Sequence, residues 1–198
     1  MTFTIITGPG RCGSSALTQF FINSNKYRVD STGFNPKMRA GYESEHSILA
    51  NSLLYSSRKI PATRVLGIHK IFYLYNTSDI AKSPTFFYLN TYHEWQKTLK
   101  NYKGIQVILL KRDANKVIES AKKIKSNDWD NIDPTQIDNL WEENITTLDN
   151  LSIPYITLEY PKFTKDSNYL YNNLLQLDLG NWKFSLEDIE NLMHKSFY

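Results

Sequence analysis

The sequence has little cysteine and no long apolar run. Among its 198 residues, Cys12 is the single cysteine, which excludes an internal disulfide framework and fits a reducing compartment. No apolar stretch approaches the ~18 residues that a membrane helix needs, and Met1 leads almost directly into an apolar strand-like run, so no signal peptide is visible. We therefore expect residues 1–198 to form one soluble, cytoplasmic domain with no membrane partner.

Clusters of charged residues are also few. Lysine and arginine total 23 against 20 aspartates and glutamates, and the formal net charge of +3 suits an anionic ligand without demanding nucleic acid. The one dense basic patch, KKIK at 122–125, is most simply the solvated face of a helix. No set of histidines, cysteines or carboxylates stands at ligand spacing. We accordingly predict neither a nucleic-acid partner nor a metal.

Residues 3–22, FTIITGPGRCGSSALTQFFI, organise the chain because they combine a strand, a glycine-rich turn and a helix. The run from Phe3 to Thr7 is β-branched and aromatic, as in a buried strand. The glycines that follow permit a tight turn and a close approach of a ligand to the backbone. We expect Ser14 and Ser15 to cap the next helix, whose free N–H groups and dipole favour an anion, usually a phosphate.

The spacing of the glycines limits which class of phosphate-binding loop this can be. Gly8 to Gly13 fit the G-x-x-x-x-G part of a P-loop, yet Ser14 stands where a nucleotidase carries the lysine that reaches the β- and γ-phosphates. Arg11 places a positive charge inside the loop instead. A turn without a ligand is one alternative. A phosphatase-like nucleophile at Cys12 is another, but the C-x5-R spacing is missing, so we expect Cys12 to lend only its backbone N–H.

A second strand and helix follow at 107–125. The run VILLKRD at 107–113 predicts a strand buried on both faces, and residues 114–125 predict a helix. Arg112 lies at the carboxyl end of this strand, and Ser120 follows eight residues later, about two helical turns into the helix. Ligands of open parallel sheets bind beyond the carboxyl ends of the strands, so Arg112 is expected to face the same crevice as the glycine loop.

Together these two stretches resemble the sulfotransferases. GPGRCGSS at 8–15 is similar to that family's 5'-phosphosulfate loop, and LKRDANKVIES at 110–120 resembles its 3'-phosphate motif, in which an arginine and a serine eight residues apart hold the 3'-phosphate. Gly10 and Ala114 stand where prolines are usual, which affects backbone stiffness more than ligand chemistry. The resemblance implies a site for 3'-phosphoadenosine 5'-phosphosulfate, with adenosine 3',5'-bisphosphate as product. Its cofactor-binding residues would be Gly10, Arg11, Cys12, Gly13, Ser14, Ser15, Arg112 and Ser120.

The resemblance also implies the catalytic residues Arg11, His69 and Lys70. Residues 64–73, RVLGIHKIFY, predict a strand, and the family has a lysine and a histidine here that serve the transferring sulfuryl group and the acceptor hydroxyl. Many members read K-x-H, whereas His69 and Lys70 are adjacent, so we expect one of them to face the site. His69 suits a general base, Lys70 fits the family's charged position, and a structural histidine is the alternative. Arg11 would offset the charge that grows on the bridging oxygen.

Strands and helices alternate along the rest of the chain. The patterns predict helices at 45–55, 91–102, after Asp133-Pro134, and at 168–177 and 186–195, with a strand at 154–160 and a loop over the site at 74–89. This alternation predicts a three-layer α/β/α sandwich with a mainly parallel sheet, similar to P-loop nucleoside-triphosphate hydrolases.

The predicted function is transfer of a sulfuryl group from 3'-phosphoadenosine 5'-phosphosulfate to a hydroxyl or amine of a small molecule or glycan, without a metal. One alternative is a P-loop kinase that uses ATP and Mg²⁺, with Asp113 as the metal-binding carboxylate. Another is a non-catalytic nucleotide-binding protein, in which His69 and Lys70 could be replaced without effect. Neither the acceptor nor the oligomeric state can be read from the sequence.

Overall fold

The computed structural model describes residues 2–29, 75, 78–83, 87, 96, 99–100, 103–123, 132–180 and 184–197. The strands in these residues are β1 (Phe3–Thr7), β2 (Ile80–Lys82), β3 (Ile105–Lys111) and β4 (Tyr155–Glu159). The helices described over their length are α1 (Ser14–Ser24), α2 (Ala114–Lys122), α3 (Pro134–Asn150), α4 (Ser167–Leu174) and α5 (Leu186–Phe197), with a 3₁₀ turn at Lys162–Thr164.

The four described strands form one parallel sheet in the order β2-β1-β3-β4. β1 pairs with β2, where Ile6 lies opposite Lys82, and with β3, where Thr7 lies opposite Leu109. Because β2 and β3 lie on opposite sides of β1, the order of the strands reverses between β1 and β3. A crevice forms at the carboxyl ends of the strands at such a switch point, and ligands bind there in open α/β sheets.

Helices cover both faces of the sheet. On one face, α1, α4 and α5 share a buried cluster with strand residues that include Ile6, Leu110 and Leu158. On the other face, Trp141 of α3 belongs to a second cluster with Ile5 and its neighbours in the sheet. Successive strand residues point to opposite faces, so the uninterrupted apolar runs supply both clusters. The α/β fold with a parallel sheet between two helical layers is therefore confirmed.

Polar side chains begin the helices α2 to α5. The carboxylates of Asp113, Asp133 and Asp166 each accept a hydrogen bond from a backbone N–H of the first turn, and the hydroxyl of Ser185 does so for α5. At α3 this contact is part of a capping box, with Pro134 at the first helical position. Each bond satisfies an N–H group that a helix start leaves without a partner. In the part of the chain that the structure describes, no helix is both long and apolar enough to cross a membrane.

Residues 80–82 differ from the loop that is predicted at 74–89. Ile80–Lys82 forms a strand that pairs with β1, and Val29 makes an isolated parallel bridge to Ile80. A run of three residues is too short to show a strand pattern, so pairing with β1 decides its conformation. The predicted helix at 45–55 and the predicted strand at 64–73 lie outside the described residues.

Candidate anion-binding site

The loop between β1 and α1 has the backbone geometry of an anion cradle. Gly10, Arg11 and Gly13 have φ angles of 78°, 52° and 86°, all in the left-handed region. Glycine adopts this region without a steric penalty, whereas for Arg11 it is unfavourable by roughly 1–2 kcal/mol. Turns of this kind present backbone N–H groups on a concave surface that binds anions. The loop is therefore shaped for an anion at the switch point of the sheet.

The start of α1 differs from the starts of the other described helices. Its N-cap residue is Gly13, and within the described chain no side chain caps its first turn. The prediction that Ser14 and Ser15 cap this helix is wrong, because the left-handed Gly13 already turns the chain and both serines lie inside the first turn. Within the described chain, the positive end of the α1 dipole is thus not covered by a capping side chain, and it favours an anion there.

Cys12 is fully buried in this loop. A Cβ atom at Gly8 would lie 2.7 Å from the Sγ of Cys12 and 2.9 Å from the carbonyl oxygen of Leu110, so position 8 has no room for a side chain. Burial raises the pKa of the Cys12 thiol to about 11, although backbone hydrogen bonds and the charge of Lys82 act in the opposite direction. Because the group is a neutral thiol at neutral pH, the structure does not favour a phosphatase-like nucleophile.

Arg11, Arg112 and Ser120 meet in the crevice. The Nε of Arg11 donates to the Oγ of Ser120 over 3.2 Å, and the Nη1 of Arg112 donates to the carbonyl oxygen of Arg11 over 2.5 Å. Both arginines are half-buried, and among the described residues neither is paired with a carboxylate. The crevice therefore carries positive charge that an anionic ligand would balance.

The structure adds Lys82 to the site, a residue that sequence reasoning missed. Lys82 ends β2 beside the loop, is only 4% exposed, and donates from Nζ to the Oγ of Ser15 over 3.0 Å. Burial of an ammonium group is unfavourable unless hydrogen bonds and an anion compensate it. The only indication of this role in the sequence is that Lys82 ends a short apolar run just before Ser83. The local pattern does not distinguish such a short run from a loop.

Tyr160 closes the crevice on the side of β4. Its backbone N–H donates to the carbonyl oxygen of Lys111 over 2.8 Å, which fixes it beside the end of β3. The guanidinium carbon of Arg112 lies 4.9 Å from the centre of its ring, a cation–π contact. A Cβ atom at Gly13 would lie 2.4 Å from the Cδ2 of Tyr160, so the ring also packs against the loop backbone. Behind it, the ring of the fully buried Phe163 lies 5.9 Å away, centroid to centroid.

The structure thus brings together the loop residues 10–15, Arg112 and Ser120. His69 and Lys70 lie outside the described residues, and their catalytic roles stay predictions. Backbone N–H groups, two guanidinium groups, hydroxyls and an ammonium group converge at the carboxyl edge of the sheet. This set of donors suits a ligand that carries phosphate-like groups.

Comparisons with known proteins add little to this picture. No protein-family model matches the sequence, and no curated protein matches it. A solved structure of the sulfotransferase domain from the Synechococcus PCC 7002 olefin synthase is similar with a TM-score of 0.47 and 13% sequence identity. That alignment covers 100% of this chain and 95% of the other. A likeness at this level shows neither a family nor an activity for the chain.

Proposed function

We propose that the chain transfers a sulfuryl group from 3'-phosphoadenosine 5'-phosphosulfate to a hydroxyl or amine. The observation that carries the proposal is the 3.2 Å hydrogen bond from the Nε of Arg11 to the Oγ of Ser120. This bond joins the loop that resembles a 5'-phosphosulfate loop to the motif that resembles a 3'-phosphate site, although the two residues are 109 positions apart. One nucleotide with phosphate groups at both positions would satisfy both motifs.

The residues present fit such a nucleotide. The loop N–H groups of residues 10–15 and the uncapped start of α1 would hold the 5'-phosphate. Arg112 uses one of about five N–H donors on the carbonyl of Arg11. Its other donors, together with the hydroxyl of Ser120, would hold the 3'-phosphate, for which a planar guanidinium is well suited.

Further residues would act on the group that is transferred. When bound, phosphoadenosine phosphosulfate supplies the sulfuryl group in an activated mixed anhydride. Arg11 and the buried Lys82 would stabilise the negative charge that grows on the bridging oxygen. His69 would act as the general base that takes the proton of the acceptor hydroxyl or amine, with Lys70 as the alternative.

Calorimetric titration with adenosine 3',5'-bisphosphate, AMP and ATP with Mg²⁺ tests the proposal. We expect the bisphosphate to bind with a Kd on the order of micromolar and AMP to bind at least about tenfold more weakly, because AMP lacks the charge-assisted contacts of the 3'-phosphate. Arg112→Ala should abolish the preference for the bisphosphate, and Ser120→Ala should weaken bisphosphate binding by about tenfold without changing AMP binding. Ser167→Ala, which removes a serine at the start of α4, is the matched control and should change neither affinity.

Two results would contradict this function. The first is equal affinity of the wild-type protein for AMP and the bisphosphate, because the 3'-phosphate would then have no site. The second is the absence of bisphosphate release when the protein is mixed with phosphoadenosine phosphosulfate and a panel of hydroxyl and amine acceptors. Binding without release would favour the non-catalytic nucleotide-binding protein.

A small-molecule or nucleotide kinase is the second candidate, and Lys82 is the observation that favours it. A buried lysine beside the loop could supply the charge that P-loop kinases place after the last glycine. However, Asp113, which this alternative assigns to Mg²⁺, already caps α2 through a hydrogen bond from the N–H of Lys116. Preferential binding of ATP with Mg²⁺ in the same titration would move the kinase to first place.

A further inference from the structure

We infer that Arg112 has a second role as the clamp of the anion loop, and that Tyr160 is the positioning residue that holds this clamp in place. The inference rests on the proposed nucleotide site. It concerns the part of that site that would bind the 5'-phosphate, where the sequence motifs give Arg112 no role. It predicts that the loss of Arg112 weakens ligands that have no 3'-phosphate at all.

The clamp begins with the strained residue of the loop. Arg11 has a φ of 52°, a conformation that residues other than glycine seldom adopt unless their surroundings fix it. The Nη1 of Arg112 donates to the carbonyl oxygen of Arg11 over 2.5 Å, a charge-assisted hydrogen bond. Because this carbonyl belongs to the peptide unit that carries the N–H of Cys12, the bond also fixes the direction of that N–H.

Tyr160 fixes Arg112 in turn. The guanidinium carbon lies 4.9 Å from the centre of the Tyr160 ring, which holds the planar group against one face. The ring cannot move away easily, because the backbone N–H of Tyr160 is bonded to Lys111 and the buried Phe163 lies behind it. The same ring packs against the backbone of Gly13, where no Cβ could be accommodated. One aromatic ring therefore supports the loop directly and through Arg112.

The two roles of Arg112 use different atoms. A guanidinium group has about five N–H donors in a fixed plane, and the loop carbonyl takes one of them. A 3'-phosphate can occupy others, so the reading of the 3'-phosphate and the support of the loop are compatible. A lysine at this position would keep the charge but could not stack its plane on Tyr160 while it donates in two directions.

Binding of AMP, which has a 5'-phosphate and no 3'-phosphate, separates the two roles. We expect Arg112→Ala and Tyr160→Leu to weaken AMP binding by about five- to tenfold, because the loop N–H groups lose their fixed direction. Tyr160→Leu should leave the ratio of bisphosphate to AMP affinity within about twofold of wild type, since Arg112 is still present. Tyr160→Phe keeps the ring and should bind as the wild-type protein does. Lys123→Ala, at the far end of α2, controls for loss of one positive charge.

A second measurement needs no ligand. NMR order parameters of the backbone N–H groups at residues 10–13 should fall from the rigid range near ~0.85 to below ~0.6 in Arg112→Ala, Arg112→Lys and Tyr160→Leu, and stay high in Tyr160→Phe. The clamp is overturned if Arg112→Ala and Tyr160→Leu leave both AMP affinity and these order parameters unchanged. If the wild-type protein shows no preference for the bisphosphate, the proposed cofactor fails, whereas the order parameters still decide whether the clamp exists.

Discussion

The polar groups at the two ends of the parallel strands have different partners. The amino edge is the side of the sheet where the strands begin, and the carboxyl edge is the side where they end. At the amino edge, Gln106 is buried and exchanges hydrogen bonds with the backbone N–H and carbonyl of Asp178, and the hydroxyl of Thr2 donates to the Asp178 carboxylate. At the carboxyl edge, the guanidinium groups of Arg11 and Arg112 are bonded to a hydroxyl and to a carbonyl. Donors and acceptors are thus matched at one edge, and cations accumulate at the other.

A cavity alone therefore does not identify a ligand site in this molecule. The amino edge contains a cavity of about 570 Å³, lined by residues that include Thr2, Lys103 and Gln106. The principal polar groups there already bind one another, and hydrogen bonds from the hydroxyl of Thr2 and then from the N–H of Gly180 hold the pKa of Asp178 below its ordinary value. The carboxyl edge is distinguished by its two guanidinium groups, which among the described residues are not paired with a carboxylate and therefore favour an anion.

Loss of Lys82 is expected to have the largest effect on activity. Lys82→Met should lower the rate of sulfuryl transfer by about 10²–10³-fold, because the buried ammonium group would no longer stabilise the growing negative charge. Lys103→Met removes an exposed lysine at the amino edge and should change the rate less than about twofold. Steady-state rates of bisphosphate release measure both. Equal rates in Lys82→Met and Lys103→Met would show that the two edges do not differ in function.

A pair of glycine substitutions separates backbone strain from steric conflict. Gly13 and Gly180 both have positive φ angles, 86° and 69°, but a Cβ atom meets Tyr160 at position 13 and nothing within 4 Å at position 180. We expect Gly180→Ala to lower the free energy of unfolding by about 1–2 kcal/mol and Gly13→Ala by a further 1–3 kcal/mol or so. Urea unfolding of the two variants gives the values. If the losses are equal, Tyr160 does not press against the loop.

The buried thiol predicts a dependence of stability on pH. Burial raises the pKa of Cys12 from 9.0 to about 11, so the folded state holds this proton more tightly than the unfolded chain. Its contribution to stability is full below pH 9 and is lost as the pH rises toward about 11, roughly 2–3 kcal/mol in total. The free energy of unfolding of wild type minus that of Cys12→Ala, measured between pH 8 and 10.5, should therefore fall. Tyr27, whose pKa burial raises to about 12, is common to both proteins and cancels.

A substitution at the amino edge should affect stability and leave ligand binding intact. Gln106→Leu removes the amide that donates to the hydroxyl of Thr4 and binds the backbone of Asp178, so buried partners lose their hydrogen bonds. We expect the free energy of unfolding to fall by about 1–3 kcal/mol and the Kd for the bisphosphate to stay within about twofold. Thermal unfolding and calorimetry measure the two quantities. A large change in the Kd would mean that the edges are coupled.

The sequence predicts the elements whose signals are local. Asp133 and Pro134 mark the start of α3, and the structure has a capping box there. The strand before Arg112 is predicted from an uninterrupted apolar run, and the observed β3 (Ile105–Lys111) ends one residue before Arg112. Ligands of parallel sheets bind at the carboxyl ends of the strands, and this rule predicts that Arg112 lies next to the glycine loop. In the structure, Arg112 donates a hydrogen bond to the carbonyl oxygen of Arg11 in that loop.

The features that the sequence misses depend on contacts between distant residues. β2 has three residues and exists because it pairs with β1, so neither the strand nor the burial of Lys82 shows in the local pattern. The stacking of Arg112 on Tyr160 joins the ends of two strands, and no spacing along the chain indicates it. Ser14 and Ser15 are predicted as caps because serine is a common capping residue. The left-handed conformation of Gly13, which makes it the N-cap instead, is not indicated by the sequence.

The position of β1 in the middle of the sheet bears on the synthesis of the chain. β1 is fully buried, and both strands that flank it come later in the chain, because Thr4 pairs with Ile80 and Phe3 with Ile105. At about 5–20 residues per second, translation needs roughly 5–20 s before both neighbours exist. During that time both edges of an apolar strand lack their partners, so the nascent chain is a target for chaperones and for aggregation. The anion loop, although it directly follows β1, can assemble only after Arg112 and Tyr160 have been made.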